Sequence, residues 1–387
     1  MAIQLRARGI PQGVARRVLG RVTRKPVEEA RRSDYIRVVP RSAVPEESLS
    51  GYVAVLFEEP AVSATPEGLR GYETLAFLQD GYVAAVETPS AQVHVLYRPD
   101  SPHNTLFATD RCNSNCLMCS QPPKDVDDSG NAAEHLRIID LIEAPPQQMC
   151  ITGGEPTLLK AGLAQVIARL KERFPETGVL MLSNGRMFAY ENFVVKLAGV
   201  CHPNFLTSIP LYADNAADHD YVVQAKGAFD QTVQGFYNAA KHGLAVEVRV
   251  VLHKQTIPGL LPLMEFIYRN LPFVRHVALM GLENMGYVKK NWELLWIDPV
   301  DYASQLEAAV TYLFHRRVRV SVYNLPLCVL PKSLWSFARQ SISDFKNIYL
   351  DECEGCSVKE HCSGLFQSSE TRHSRAIGAI SDTQHTI

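Results

Sequence analysis

The hydrophobic pattern of the chain changes at about residue 100. Before that point, short runs of alternating apolar and polar residues, such as YIRVV and YVAVLF, are separated by clusters of Pro, Gly and Ser. Alternation with a period of two is typical of strands that bury one face. Residues 1–100 therefore predict a small strand-rich extension that ends in a hairpin, and nothing in it resembles a catalytic signature.

Residues 101–325 follow a different rhythm, in which an apolar strand pattern precedes an amphipathic helix pattern. NTLFAT, QQMCIT and GVLMLS are the first three strand patterns, and each leads into a helical segment. This alternation predicts βαβ units and a parallel sheet. Six such units are too few for a complete eight-stranded barrel, so we expect an α/β fold with a partial (β/α)6 barrel.

The strand and helix pattern stops after about residue 325. Residues 326–368 form a cysteine-rich segment, and residues 369–387 are polar and predict a mobile tail. The expected domain organisation is therefore 1–100, 101–325, 326–368 and 369–387.

Composition and charge exclude several classes of partner. A chain of 387 residues with 46% apolar content can bury a sizeable core, and a net charge of −2 gives no electrostatic reason to expect nucleic acid. No apolar run approaches the ~20 residues that span a bilayer, so we expect no membrane partner. Six arginines precede the first acid, Glu28, but the apolar core of a secretory signal and the Ser richness of a transit peptide are missing. We therefore expect a cytoplasmic protein.

Nine cysteines in a reducing compartment indicate metal or redox chemistry more than disulfides. Three of them, Cys112, Cys116 and Cys119, lie within eight positions. Their spacing indicates a metal site without naming the metal: structural zinc takes four closed ligands, and an iron–sulfur cube normally takes four cysteines. In a cube, three thiolates would leave one iron open to a small molecule. Cys150 and Cys201 are predicted to be buried apolar residues.

Three short motifs follow three successive predicted strands. The cysteine loop comes after the first strand, GGEP (residues 153–156) after the second and SNG (residues 183–185) after the third. In parallel α/β folds the chemistry lies at the carboxyl ends of the strands. We therefore expect the three motifs to meet at one rim.

Together, Cys-x3-Cys-x2-Cys, GGEP and the partial barrel resemble the radical S-adenosylmethionine (SAM) enzymes, over about residues 101–325. This resemblance implies that Cys112, Cys116 and Cys119 hold a 4Fe-4S cluster whose fourth iron is chelated by the amino and carboxylate groups of SAM. It also implies that the glycines of GGEP let the backbone approach the methionine ammonium, while the carboxylate of Glu155 binds it.

The resemblance implies further cofactor contacts. SNG is similar to the polar motif of the third strand, and Ser208 on the fourth strand is a candidate partner of the ribose. The chain lacks the arginine that related peptide-modifying enzymes carry after a His-Asp pair, so Arg249 is the candidate to recognise the carboxylate. The expected cofactor-binding residues are Gly153, Gly154, Glu155, Pro156, Ser183, Asn184, Ser208 and Arg249.

A second cysteine group resembles the auxiliary cluster domains, called SPASM or twitch, of enzymes that modify ribosomal peptides. It reads Cys353-x2-Cys356-x5-Cys362 followed by Gly364. Cys328 would complete four thiolates for a second 4Fe-4S cluster, and zinc is the alternative because four thiolates suit either ion.

The stretches IPLYADNAADHD, YNLPLCVLP and SISDFKNIYLDECEGCSVKEHCSG are similar to the radical SAM maturases of His-Xaa-Ser systems. This implies hydrogen abstraction from a ribosomally made peptide or protein precursor rich in His-Xaa-Ser repeats. It also implies a second maturase, a small accessory protein, and a reductase or flavodoxin-type electron donor as partners. The alternatives are a radical SAM enzyme acting on RNA or a small metabolite, and a zinc-binding interaction protein without catalysis.

Overall fold

The computed structural model describes residues 4–10, 17–41, 43, 45, 48–59, 68–88, 90–340 and 347–381. In that part of the chain, two large sheets pack together and a short ribbon follows them. Within the same residues, no helix is both long enough and apolar enough to cross a membrane.

The amino-terminal sheet has seven strands in the order β1-β7-β6-β2-β3-β4-β5. Their bounds are β1 (Arg6–Arg8), β2 (Arg17–Thr23), β3 (Tyr35–Val39), β4 (Ala54–Glu58), β5 (Leu69–Tyr72), β6 (Val83–Glu87) and β7 (Gln92–Tyr97). Strands β6 and β7 form the expected antiparallel hairpin. Ile10, just after β1, donates its backbone N–H to the carbonyl of Arg70 in β5 at 2.7 Å, which links the two outer strands.

The second sheet forms the barrel, and its eight strands run parallel in the order of the chain from one edge to the other. The strands are β8 (His103–Phe107), β9 (Gln148–Thr152), β10 (Gly178–Leu182), β11 (Phe205–Pro210), β12 (Ala245–Leu252), β13 (His276–Gly281), β14 (Val320–Tyr323) and β15 (Ala338–Arg339). The prediction of a partial barrel is confirmed. The two short strands β14 and β15 extend it beyond the six predicted units.

Helices cover the outer face of this sheet. They are α1 (Asn131–Leu141), α2 (Ala161–Arg173), α3 (Glu191–Val200), α5 (Ala228–Lys241), α6 (Leu260–Asn270) and α8 (Ala303–His315). Two further helices, α4 (Ala216–Val223) and α7 (Trp292–Leu295), pack in a separate apolar cluster with Met118. In α2 the apolar residues Leu163, Val166, Ile167 and Leu170 recur at helical spacing and are all buried. In β9, Met149 and Ile151 join this outer core, so the alternate residues of the strand face the barrel interior.

A ribbon of β16 (Asn347–Ile348) and β17 (Leu365–Phe366) lies in the cysteine-rich segment. The residues after it, from 369 to 381, belong to the predicted tail and contact the barrel. Ser374 donates to the Asp298 carboxylate at 2.6 Å, and the backbone N–H of Arg375 donates to the same carboxylate at 3.0 Å. Ile377 then packs against the barrel core. Residues 382–387 of the predicted tail lie outside the described residues.

Arginines of the basic start attach the amino-terminal sheet to the barrel. Arg17 of β2 forms an ion pair with Glu134 of α1. Arg21 of the same strand is buried, donates from Nε to the carbonyl of Leu141 at 2.9 Å, and contacts Glu143. The Leu141 carbonyl belongs to the last turn of α1, which leaves carbonyls without helical partners. The basic character of this stretch therefore has a structural role at the contact between the two sheets.

Replacing Arg21 by alanine removes a buried donor from this contact. We expect Arg21→Ala to lower the free energy of unfolding by about 2–4 kcal/mol, because the Leu141 carbonyl loses its partner in a buried setting. Denaturant unfolding of the purified chain measures this. Arg31→Ala is the matched control, because Arg31 reaches the same Glu143 from a side chain that is 57% exposed. It should cost less than about 1 kcal/mol. Equal losses in both variants would contradict a role for burial at this contact.

Candidate functional site

The cysteine loop follows β8 and continues the pairing of β8 with β9 beyond the sheet. Ala108 donates its backbone N–H to the carbonyl of Thr152 at 2.6 Å, and Gly154 donates to Thr109 at 2.6 Å. Gly153 and Gly154 permit this approach. A Cβ on Gly153 would lie 2.6 Å from the carbonyl oxygen of Thr109, and a Cβ on Gly154 would lie 2.1 Å from that of Arg111. The two glycines are therefore required where the backbones of the first two motifs cross.

Glu155 joins the second motif to the third. Its side chain is fully buried, and its carboxylate accepts hydrogen bonds from the Thr157 N–H at 3.0 Å, the Thr157 hydroxyl at 2.7 Å, the Ser183 hydroxyl at 2.8 Å and the Asn184 N–H at 2.7 Å. Glu155 also caps a short 3-10 turn in which Pro156 is at the first position, a place where proline fits because that N–H needs no partner. Burial raises the pKa of Glu155, and the four donors act in the opposite direction.

The resemblance implied that the Glu155 carboxylate binds the methionine ammonium of SAM, and that role stays a prediction. In the structure the carboxylate accepts hydrogen bonds from donors of the chain itself. The backbone N–H groups of Thr157 and Asn184, in the loops after β9 and β10, need an acceptor, and the buried carboxylate supplies it. Ser183, which is also an expected cofactor contact, donates its hydroxyl hydrogen to the carboxylate of Glu155. Both side chains shape the rim.

The third motif supports the cysteine loop directly. Asn184 donates from Nδ2 to the side-chain oxygen of Asn113 at 2.6 Å and lies 3.8 Å from the sulfur of Cys112. Arg186 donates to the carbonyl of Asn113 and, at 3.2 Å, to the hydroxyl of Ser114. Sequence reasoning missed Arg186. Its position immediately after SNG, on the predicted rim, is the signal that could have found it.

The opposite side of the cysteine loop is supported from a different part of the barrel. Tyr287 donates its N–H to the carbonyl of Cys119 at 2.9 Å, and Asn291 donates from Nδ2 to Leu117 at 2.8 Å. Leu117 also donates its N–H to Val222 at the end of α4, at 3.0 Å. These partners lie more than 100 positions away in the sequence, so no local motif predicts them.

An apolar cluster lies beneath the cysteine loop. Met118 is 7% exposed and packs with Tyr212, Val222, Val288 and other buried residues. Methionine fills irregular apolar gaps well because it is flexible and polarizable. The loop is thus closed to water from below, and its three cysteines are half-buried.

The three thiols share a desolvated and mutually repulsive environment. Burial raises the pKa of Cys112 to about 11 and that of Cys116 to about 12, and it raises the pKa of Cys119 as well. The negative charge of a neighbouring thiolate adds to the increase at Cys116. A metal cluster would offset this repulsion, because thiolates bind metal with loss of their protons. In the described residues, no three His, Cys, Asp or Glu side chains are already grouped at metal-binding distance. The fit to an iron–sulfur cluster rests on the donor set and on the crossing at Gly153 and Gly154.

The barrel interior below the rim contains a cavity of about 740 Å³. Its walls include Cys150, Leu180 and Leu206, and Cys150 is buried as predicted. The charged residues of its lining are two arginines and two glutamates, so their formal charges cancel; they are Arg98, Glu247, Arg249 and Glu283.

Ser208 and Arg249 lie together on the inner wall of the barrel around a residue that the sequence did not single out. The Glu247 carboxylate accepts from the Ser208 hydroxyl at 2.5 Å, from Arg249 Nε at 3.1 Å and from His276 Nδ1 at 2.7 Å. Burial alone would raise the pKa of Glu247. The hydrogen bond from His276 and the charge of Arg249 outweigh it and hold that pKa at about 2. The Ser208 hydroxyl, expected to meet the ribose, is therefore occupied by Glu247.

The four cysteines of the second group meet around one small cavity of about 20 Å³. They are Cys328, Cys353, Cys356 and Cys362. Backbone N–H groups point at two of the sulfurs: Leu327 donates to Cys362 at 3.4 Å, and Ile380 donates to Cys356 at 3.5 Å. Ile380 belongs to the segment predicted to be a mobile tail. Burial raises the pKa of Cys328 and Cys362.

Comparison with known proteins gives a match to one superfamily. Residues 106–267 match the model of the radical SAM superfamily. The superfamily implies a 4Fe-4S cluster and SAM as cofactors.

Two curated relatives are similar over this region. A GTP 3',8-cyclase from Petrotoga mobilis is 29% identical over 155 residues, which are 38% of this chain and 45% of the cyclase. An Fe-coproporphyrin III synthase from Methanosarcina barkeri is 27% identical over 164 residues, which are 41% of this chain and 39% of the synthase. The chain thus spans about half or less of the length of these relatives.

Among solved structures, Streptococcus suis SuiB bound to S-adenosylmethionine is 15% identical, with 59% of this chain and 51% of SuiB covered and a TM-score of 0.48. Native anSMEcpe with bound AdoMet is 16% identical, with 56% of this chain and 62% of that chain covered and a TM-score of 0.44.

Replacing Glu155 by glutamine tests the junction at the rim. In the wild type, both oxygens of the Glu155 carboxylate accept hydrogen bonds. Glutamine replaces one of these oxygens by an NH2 group, which cannot accept. We therefore expect Glu155→Gln to lower the free energy of unfolding by about 2–4 kcal/mol. We also expect it to reduce iron uptake on anaerobic reconstitution. Urea unfolding and iron analysis measure the two effects. Glu176→Gln makes the same chemical change at an exposed position and should do neither. Wild-type stability and iron uptake in Glu155→Gln would rule out the carboxylate as the acceptor that holds the two loops.

Proposed function

We propose that this chain, whose residues 106–267 match the radical SAM model, is a radical SAM maturase that abstracts hydrogen from a ribosomally made peptide or protein. A precursor with His-Xaa-Ser repeats is the expected substrate. The observation that carries the proposal is the position of the three-cysteine loop, which is held from both sides at the rim of a long, formally neutral cavity.

Cys112, Cys116 and Cys119 would hold the 4Fe-4S cluster, with SAM beside Gly153 and Gly154. When bound, the cluster and SAM supply reductive cleavage of SAM and abstraction of a hydrogen atom from the substrate. The protein positions the cysteine loop and shields it from water. Asn184 and Arg186 position the loop, and the apolar cluster around Met118 excludes water from beneath it.

The charge of the cavity favours a peptide over a nucleotide. A nucleoside triphosphate carries several negative charges, which buried sites offset with cations or metal ions. The cavity lining has no excess of positive charge, because its arginines and glutamates balance. An uncharged peptide segment needs no such excess and suits the apolar parts of the wall, such as Leu180 and Leu206.

Cys328, Cys353, Cys356 and Cys362 would hold a second 4Fe-4S cluster of the SPASM or twitch type. Their convergence on one cavity supports a four-thiolate site, and backbone N–H groups directed at sulfur are typical of the hydrogen bonds that tune iron–sulfur clusters. Zinc is the alternative occupant. The second site would provide electron transfer close to the barrel.

The expected partners follow from this function. They are the precursor peptide, a second maturase, a small accessory protein, and a reductase or flavodoxin-type electron donor. We place the protein in the cytoplasm, where such donors and newly made peptides are available, and we expect neither nucleic acid nor a membrane as a partner.

A radical SAM enzyme of small metabolites is the second candidate. The similarity of the barrel to GTP 3',8-cyclase favours it. The neutral cavity lining weighs against a triphosphate substrate in particular. Co-expression with the precursor and with GTP-derived candidates, followed by mass spectrometry of both pools, separates the two.

Changing Cys112, Cys116 and Cys119 to alanine removes the ligands of the SAM cluster. We expect the triple variant to form no 5'-deoxyadenosine from SAM under anaerobic reducing conditions, whereas the reconstituted wild type does. Chromatography with mass detection measures the product. Cys201→Ala, which changes a cysteine outside both groups, should retain wild-type formation. Continued SAM cleavage by the triple variant would be incompatible with the proposed cofactor site.

Metal content tests the second cysteine group. After anaerobic reconstitution we expect about eight irons per chain in the wild type and about four when Cys328, Cys353, Cys356 and Cys362 are changed to alanine, since each cube holds four. Iron, sulfide and zinc analysis on the same samples measures this. Zinc at the second group with four irons in total would replace the second cluster by a structural zinc site. Zinc at both groups would support the non-catalytic interaction protein.

A further inference from the structure

A polar row crosses the inner wall of the barrel from β11 to β14. Ser208, Glu247 and His276 are register partners on three adjacent strands, so they lie at the same height in the sheet. His276 continues the row through Nε2 to the hydroxyl of Ser321 on β14, at 3.0 Å. Leu206 and Met280 line the same cavity, so the row is a polar band in a largely apolar surface.

Arg249 stands next to this row on the same face of β12 as Glu247, because side chains two positions apart point to the same side of a strand. Its Nε is bound to the carboxylate of Glu247. Its two terminal amino groups have no hydrogen-bond partner among the residues that the structure describes. The Arg249 side chain is 20% exposed and lines the cavity. Glu247 thus holds a guanidinium whose remaining donors are available to a ligand.

The charges around Arg249 determine which ligand it suits. The Glu247 carboxylate already balances its positive charge at 3.1 Å. An anionic ligand would leave one net negative charge in a half-buried wall, which is costly. A neutral acceptor satisfies the free N–H groups and keeps the site neutral. Amide carbonyls are the neutral acceptors that every peptide carries.

Arg249 shares the Glu247 carboxylate with Ser208 and pairs in register with Pro210, the last residue of β11. Arg186, by contrast, contacts the cysteine loop itself. The role of Arg249 at the SAM carboxylate stays a prediction. The charge that Glu247 already balances favours a neutral ligand for Arg249.

We propose that Arg249, held in place by Glu247, is a specificity-determining residue that donates hydrogen bonds to an uncharged amide carbonyl of the substrate. Glu247 is the positioning residue, and it excludes anionic ligands by neutralising the guanidinium. This inference rests on the proposed peptide substrate and narrows it to segments without acidic residues at this subsite.

Binding of defined peptides to the full-length chain tests the proposal. The neutral probe is a three-repeat His-Gly-Ser peptide, acetylated and amidated, at pH 8, where its imidazoles are uncharged. The acidic probe is the same peptide with Asp in place of each Ser, and GTP is the phosphate probe. Calorimetry compares the wild type with Glu247→Gln and with the double variant Glu247→Gln/Arg249→Gln, which removes both charges. Arg269→Gln changes an arginine that is 69% exposed and serves as the control.

We expect the wild type and Arg269→Gln to bind the neutral peptide more tightly than the acidic peptide or GTP. The double variant should bind the neutral peptide about 10- to 100-fold more weakly, because a hydrogen bond from a charged donor is lost. Glu247→Gln alone should shift the preference toward the acidic peptide, because the guanidinium is then uncompensated. A merely structural role of Glu247 would not produce this shift. The Glu247→Gln single variant also tests the proposal if the double variant does not fold.

Three results would overturn the proposal in distinguishable ways. Unchanged affinity of the double variant for the neutral peptide would remove Arg249 from the substrate site and leave the maturase function intact. Loss of SAM binding by the reconstituted double variant, at unchanged peptide affinity, would return Arg249 to the cofactor. If the wild type binds GTP but neither peptide, the peptide substrate itself is wrong, and the inference fails with it.

Discussion

The close crossing of two backbones at the carboxyl end of β9 is the constraint on which the rest of the site depends. Gly153 and Gly154 let the loop that carries the cysteines run against the second motif, and the Glu155 carboxylate then fixes the third motif to the second. Any side chain at the two glycines would collide with backbone atoms, which cannot move aside as a flexible side chain can. The three motifs are therefore one structural unit, and the cysteine loop takes its place from that unit.

Burial has opposite consequences at the two carboxylates of the barrel. Glu155 accepts hydrogen bonds from four donors at the rim and forms no ion pair among the described residues, so it satisfies backbone and hydroxyl groups. Glu247 is buried beside a histidine and an arginine, and these partners hold its pKa at about 2 despite burial. One carboxylate assembles the loops around the expected cofactor. The other holds a guanidinium that lines the barrel cavity.

The second cysteine group shows how distant segments complete a site. Cys328 comes from the turn that follows β14, the other three cysteines come from residues 353–362, and the N–H of Ile380 approaches the sulfur of Cys356. The carboxylate of Asp298, which precedes α8, accepts hydrogen bonds from Ser374 and Arg375 and so attaches the last part of the described chain to the barrel. Polar composition alone predicted a mobile tail, because a segment with few apolar residues gives no sign that a buried carboxylate elsewhere will bind it.

The sequence by itself determined the fold class and the edge of the sheet at which the three motifs meet. Apolar strands alternating with amphipathic helices require a parallel sheet, and parallel strands bring motifs that follow them to one edge. The spacing of the first three cysteines predicts a metal site from one short stretch of sequence, without knowledge of distant contacts. The tertiary structure alone decided what individual side chains do. Glu155, Ser183 and Ser208, which are predicted cofactor contacts, form hydrogen bonds with other side chains of the chain. Arg186 and Glu247 were not anticipated. The reason is physical, because buried polar groups form hydrogen bonds across strands and loops that are far apart in the sequence. A periodic pattern specifies which face of an element is buried, but it does not specify the hydrogen-bond partner of a side chain on that face.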